Sequence, residues 1–219
     1  MDIAEYKQLF SGNDDATPGW DAITAQLQTV YGSQAPKHWG TALPHRLGGP
    51  DPIDGISVFE STAGGYSDFH FCSYGFTSLY YDENSLGGEA SGFGFELTFR
   101  LRNTGQTEGE LQWVWGLIQN IARYVFESGN RFDQYHWLPA NGPICMDSPT
   151  DIVGLIFVTD SELGSIDTPH GRVQFLQMVG LTTAELEDLH ANNITCEQMV
   201  EALRVDNPLW VTDLARRSV

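Results

Sequence analysis

Hydrophobic residues occupy alternate positions through "SGFGFELTFRL". Phe93, Phe95, Leu97, Phe99 and Leu101 are separated there by Gly94, Glu96, Thr98 and Arg100. A period of two is that of a β-strand, whose successive side chains point to opposite faces. One face is then aromatic and aliphatic, and it suits the floor of a core beneath a helix. The other face is small, then charged, and the spacing predicts that Glu96 and Arg100 interact on it.

The period changes after the loop "NTGQTEGE". Leu111, Val114, Trp115, Ile118, Ile121, Ala122 and Val125 recur at helical spacing, which predicts a helix over Glu110 to Ser128 closed by Gly129. A second helix is predicted over Asp21 to Tyr31, from Ile23, Leu27, Val30 and Tyr31, with Gly32 ending it. Strands are predicted at Ile56 to Ser61 and Asp68 to Phe76, joined by "TAGGY". The continuous apolar run "DIVGLIFVTD" predicts a strand buried on both faces, and "RVQFLQMVG" a further strand after the turn "TPHG". Two capping boxes, Thr182 with Glu185 and Thr195 with Gln198, open the last helices. Between Ala35 and Gly55 proline and glycine are dense, and an irregular segment is expected.

Strands and helices are intermixed without regular alternation. The expected fold class is α+β, with one twisted, largely antiparallel or mixed sheet flanked by helices in a single domain of 219 residues.

Composition changes the picture mainly through charge. Twenty-nine acidic residues stand against eleven basic ones, for a formal net charge of −18. That balance argues against nucleic acid and anionic membrane surfaces, and favours a basic protein partner. Cys72, Cys145 and Cys196 form no CxxC pair and read as reduced thiols. The N-terminal "MDIAEYKQLF" lacks the basic and apolar regions of a signal peptide, so a cytoplasmic location is expected.

Candidate chemistry is sparse. "SGFGFE" lacks the third glycine of a dinucleotide fingerprint, and "LGGPDP" lacks the lysine and hydroxyl residue of a phosphate loop. No HExxH, GxSxG or protease-type cysteine context is present. No catalytic residue, metal ligand or cofactor is assigned. The alternative reading is a small metal-dependent or hydrolytic enzyme using His38, His45, Arg46 and Asp51. Its bland counterpart is a loop pinned by Trp39 and Leu43, with Arg46 and Asp51 paired.

Several longer segments are more specific. "HWGTALPHRLGGPDPIDGISVF", "FHFCSYGFTSLYYDE", "ASGFGFELTFRL", "LIQNIARYVFESGNRF", "IDTPHGRVQFLQMVGLTTAEL" and "WVTDLARR" occur in this order. Together they resemble the N-terminal domain of the Suppressor of fused family over roughly residues 17 to 217. The resemblance implies a non-catalytic protein-binding domain. The animal members have two domains, repress Gli transcription factors and clamp an extended peptide between the domains. Carried over by position, Asp82 matches the acid that pairs with a histidine of the peptide, and Phe71 an aromatic lining the groove. Tyr74, Tyr80, Glu83 and Leu86 complete the expected partner site, with sheet-edge addition around Asp82 to Leu86 as the mode. The same residues have plainer roles open to them: Asp82 as a turn cap, Phe71 as core.

Two departures limit the carry-over. The resemblance covers the N-terminal domain alone, and "ENSLGGEA" after Asp82 is shorter than in the animal form. Gli binding is therefore not carried over. A lone domain resembles the bacterial members, some of which are similar to immunity proteins that neutralise a toxin. The expected partner is a protein or extended peptide, a toxin among the classes implied.

Overall fold

The computed structural model describes residues 2–13, 15–43 and 45–218; the Arg46 side chain lies outside the described residues. Among the described residues five α-helices are formed: α1 (Ile3–Phe10), α2 (Pro18–Tyr31), α3 (Glu108–Ser128), α4 (Thr183–His190) and α5 (Cys196–Arg204). Eight strands build one mixed sheet: β1 (Lys37–Gly40), β2 (Gly55–Ser61), β3 (Asp68–Tyr74), β4 (Ala90–Arg102), β5 (Trp137–Pro139), β6 (Ile152–Thr159), β7 (Ser165–Thr168) and β8 (Gly171–Thr182). Their order is β1-β2-β3-β4-β8-β6-β5, with β7 paired to β8. Pairings β1/β2, β5/β6, β6/β8 and β7/β8 are antiparallel. The α+β architecture expected from the intermixed periods is the one observed.

The chain divides into two compact units. One comprises the residues up to Phe59, Cys72–Leu97 and Ser161–Phe175; the other comprises Glu60–Phe71, Thr98–Asp160 and those from Leu176 onward. In the first unit, Ile23 and Leu27 of α2 pack with Phe59, Cys72, Tyr74, Leu79, Leu163 and Phe175. These apolar positions, four apart on the helix, drive α2 onto the sheet through the area they remove from water. In the second unit, Ile156, Val158, Val179 and Leu181 of β6 and β8 pack under Leu186, Leu189, Met199, Val200 and Leu203 of α4 and α5.

The capping boxes form as their spacing predicts. Glu185 Oε2 accepts from the Thr182 amide at 2.8 Å, and Gln198 Oε1 from the Thr195 amide at 3.0 Å. Phe99 on β4 meets Trp113 of α3 edge-on, ring centroids 5.9 Å apart, so this part of the apolar face does floor a helix.

The polar face of β4 departs from expectation. Glu96, Thr98 and Arg100 are all fully buried, and Glu96 and Arg100 each have their own partners. Glu96 accepts from Ser73 Oγ (2.6 Å), the amides of Gly75 and Thr77 (both 3.0 Å) and Thr77 Oγ1 (2.7 Å). Arg100 donates to Asp68 Oδ2 (3.0 Å) and His70 Nδ1 (2.9 Å). Strand β4 is thus central, with both faces covered, whereas alternation in isolation reads as one solvated face. The segment between Ala35 and Gly55 is also less irregular than expected, since it contains β1 and a short 3-10 turn at His45–Leu47.

Candidate functional site

The region singled out by the sequence is a turn. Asp82 opens a 3-10 helix over Glu83–Ser85, where its carboxylate accepts from the Asn84 amide at 3.0 Å and Ser85 Oγ at 2.6 Å. The Ser85 and Asn84 hydrogen bonds hold the Asp82 carboxyl below its ordinary range. Asp82 to Leu86 is therefore not a free strand margin. Just before it, the main chain is already paired within the protein: the amides of Gly19 and Trp20 donate to Leu79 O at 3.0 and 3.3 Å, and Tyr81 N donates to Ala16 O at 3.0 Å.

Two elements of the first unit grip this turn. On one side is the β7–β8 turn, where Gly87 N donates to Pro169 O at 2.9 Å and Arg172 N to Glu89 O at 3.2 Å. Gly171 sits there at φ +116, and a Cβ on it would lie 2.5 Å from Gly88 O. Only glycine fits both the conformation and the space.

On the other side is α1. Tyr6 is fully buried, stacks on Tyr81 with centroids 5.0 Å apart, and accepts from the Asp82 amide at 3.2 Å. Its hydroxyl lies 2.6 Å from His170 Nε2, while His170 Nδ1 lies 2.7 Å from Ser78 O. A carbonyl only accepts, so Nδ1 carries a proton, and in the neutral ring Nε2 accepts from Tyr6. The order of donation is Asp82 N–H to Tyr6, Tyr6 O–H to His170, His170 to Ser78. Burial raises the Tyr6 pKa. Lys7 Nζ meets Glu83 Oε2 at 2.7 Å, and Tyr81 donates to Glu83 Oε1 at 2.8 Å. Those bonds lower the Glu83 pKa, and the bond to Glu83 pushes the Tyr81 phenol up to about 12.

The expected partner residues therefore occupy different depths. Phe71 is fully buried, 6.2 Å from Phe99 in the second unit. Tyr74 is buried in the first unit, stacked on Trp20 at 4.2 Å, and desolvation drives its pKa up. Tyr80 is half-buried and donates to Asp54 Oδ2 at 2.8 Å. Asp82 and Leu86 are half-buried, and Glu83 is exposed. Tyr6, Lys7 and His170 were not assigned to the site from sequence. Ile3, Tyr6, Leu9 and Phe10 of α1 do recur at helical spacing behind the Asp2 cap, a signal that could have marked the helix but not its docking site, and His170 reaches the turn only through tertiary folding.

The residues of the enzymatic alternative take other roles. His38 lies on β1, with Nδ1 3.0 Å from Ser57 Oγ and its ring 5.2 Å from that of Trp20; burial lowers its pKa. His45 is exposed on the 3-10 turn and Asp51 is half-buried. Among the described residues, no three His, Cys, Asp or Glu side chains gather to hold a metal ion. In the second unit, Arg100 donates to His70 Nδ1, which leaves the ring proton on Nε2, 2.9 Å from Asp160 Oδ2. A histidine oriented by a carboxylate is a catalytic device elsewhere; here both side chains are fully buried. A separate pocket of about 530 Å³ in the same unit is lined by Arg102, Glu110, Trp113, Cys145, Asp147 and Asp213, among others. None of the expected partner residues lies in it.

Comparison with known proteins places this architecture. The family model for Suppressor of fused protein matches residues 49–217. The chain belongs to the Suppressor of fused family. Human Suppressor of fused homolog is 32% identical over 211 residues, covering 90% of this chain and 43% of the human protein. The chain thus spans less than half the length of that relative. A chain from the crystal structure of the Sufu–Fu complex superposes with TM-score 0.82 at 32% identity, covering 93% of this chain and 92% of that one. Drosophila Suppressor of fused superposes with TM-score 0.81 at 32% identity, over 93% of this chain and 51% of that one. No helix of the described residues is long and apolar enough to cross a membrane.

Proposed function

We propose that this Suppressor of fused domain is a non-catalytic binding module that receives a basic, extended stretch of a partner protein at the Asp82 turn. The observation that carries the reading is the likeness over nearly the whole fold to a chain crystallised in complex with Fu. The local chemistry agrees with it. Asp82 and Glu83 have lowered pKa values and stay ionised at neutral pH. Tyr80 and Leu86 flank them at partial exposure, and the net charge of −18 favours encounter with a cationic partner. Tyr74 and Phe71 are buried, and we place the partner contact at Tyr80, Asp82, Glu83 and Leu86.

The test is selection of a displayed library of short random peptides on the intact protein. Selected peptides are expected to be rich in Lys and Arg, to bind more weakly as salt rises, and to lose binding to Asp82→Lys and Glu83→Lys. Peptides whose affinity ignores both substitutions would overturn this placement of the site.

A further inference from the structure

Helix α1 covers the very groups that the proposed partner would need. Its Tyr6 hydroxyl takes up the Asp82 amide, its Tyr6 ring covers one face of Tyr81, and its Lys7 neutralises Glu83. The attachment of this helix is nevertheless slight. It spans eight residues, of which Tyr6 alone is buried, and a helix so short does not hold together in water without packing. Ile3 and Leu9 are 46% and 59% exposed. The Lys7–Glu83 pair is about half exposed on both sides, and such pairs weaken with salt.

The covered turn is held independently. Its Gly87–Pro169 hydrogen bond and the Asp82 cap make no use of α1. The chain behind α1 is fastened again at Ala16, through Tyr81 N. Gly12, just after α1, stands at φ +86, with nothing within 4 Å of where a Cβ would be. Helix α1 also precedes residues 49–217, the part matched by the family model.

We infer that α1 is a displaceable strap: an intramolecular occupant of the Asp82 turn, anchored by Tyr6 and steered by Lys7, that leaves when a cationic peptide binds. This rests on the reading of the turn as the partner site and adds its regulation. A basic peptide competes with Lys7 for Glu83 and claims the Asp82 amide that Tyr6 vacates. Affinity of the intact chain is then reduced by the fraction of molecules with the strap closed.

The experiment has two arms on the full chain, with Tyr6→Ala and Lys7→Glu as variants. In the first, hydrogen exchange follows the amides of α1 and of Asp82. Tyr6→Ala is expected to raise exchange at both while leaving α4 and α5 unchanged; an Asp82 amide equally protected in both proteins overturns the strap. In the second, peptides selected from the displayed random library on Tyr6→Ala are titrated into all three proteins. Binding is expected to be about tenfold tighter to each variant than to the unaltered chain, and bound peptide is expected to deprotect α1. Equal or weaker binding to the variants, or α1 still protected in the complex, overturns it. A library that yields no peptide sensitive to Asp82→Lys removes the partner reading and with it what the strap regulates. The exchange arm alone then reports whether the helix opens.

Discussion

The hydroxyl of Tyr6 lies 2.6 Å from Nε2 of His170, a residue 164 positions along the chain, and the Asp82 amide donates to the same oxygen. One phenol thereby joins the N-terminal helix, the acidic turn and the β7–β8 turn. Replacing it by phenylalanine keeps the ring stack on Tyr81 but strands an acceptor on His170 and a donor on Asp82. Tyr6→Phe is expected to weaken the docking of α1 by about 1–2 kcal/mol. The loss should appear as faster amide exchange in α1, with little change in the global unfolding midpoint.

Glu96 is expected to make stability fall as pH rises. Its complete burial pushes the carboxyl up to about 7, although four hydrogen bonds from Ser73, Gly75 and Thr77 oppose the rise. The folded protein therefore holds a proton that the unfolded chain has released above about 4.3. Between these values the folded state binds more protons, so its stability drops with increasing pH, by up to about 2–3 kcal/mol by pH 8. Urea unfolding from pH 5 to pH 8 should show the decline, and Glu96→Gln should flatten it.

Arg100 is held by Asp68 and His70 at full burial. Arg100→Met leaves the Asp68 charge without its guanidinium and should cost about 3–5 kcal/mol. Adding Asp68→Leu to it is expected to recover much of that loss, because the stranded charge is then gone. A double-mutant cycle by chemical denaturation measures the coupling; additive losses would contradict the pairing.

Gly171→Ala should disturb the turn from its far side. The added methyl meets Gly88 O at 2.5 Å and Ala90 C at 2.7 Å, at a φ of +116 that L-residues resist. A destabilisation of about 2–4 kcal/mol is expected from strain and displacement together. Chemical denaturation gives the value, and exchange at Gly87, whose amide binds Pro169 O, should rise with it.

Charge at the turn is expected to act mainly on encounter with the proposed partner. Asp82→Asn keeps a cap acceptor while removing the negative charge, so stability should change by less than about 1 kcal/mol. Association with a basic selected peptide should slow and lose part of its salt dependence. Stopped-flow binding at two ionic strengths checks this.

Period and capping chemistry made most elements legible without a structure. The helical repeat from Leu111 to Val125 and the reciprocal caps at Thr182 and Thr195 are local, so each yields α3, α4 and α5 with boundaries near those expected. Family motifs spread along the chain pointed to the fold for a different reason, by resemblance over most of its length rather than by local period. Short β1, β5 and β7 escaped because elements of three or four residues are too brief to show a period.

What the sequence determined by itself is the alternation of β4, the long amphipathic α3, the capped final helices and a strong excess of negative charge. Each depends on residues a few positions apart. Only the tertiary structure decided that both faces of β4 are buried, that Glu96 and Arg100 belong to separate networks, and that Tyr6 closes over Asp82 against His170. Those outcomes depend on which distant strand or turn lies alongside. Burial and hydrogen-bond partners follow from that proximity, and nothing in the neighbouring residues encodes it.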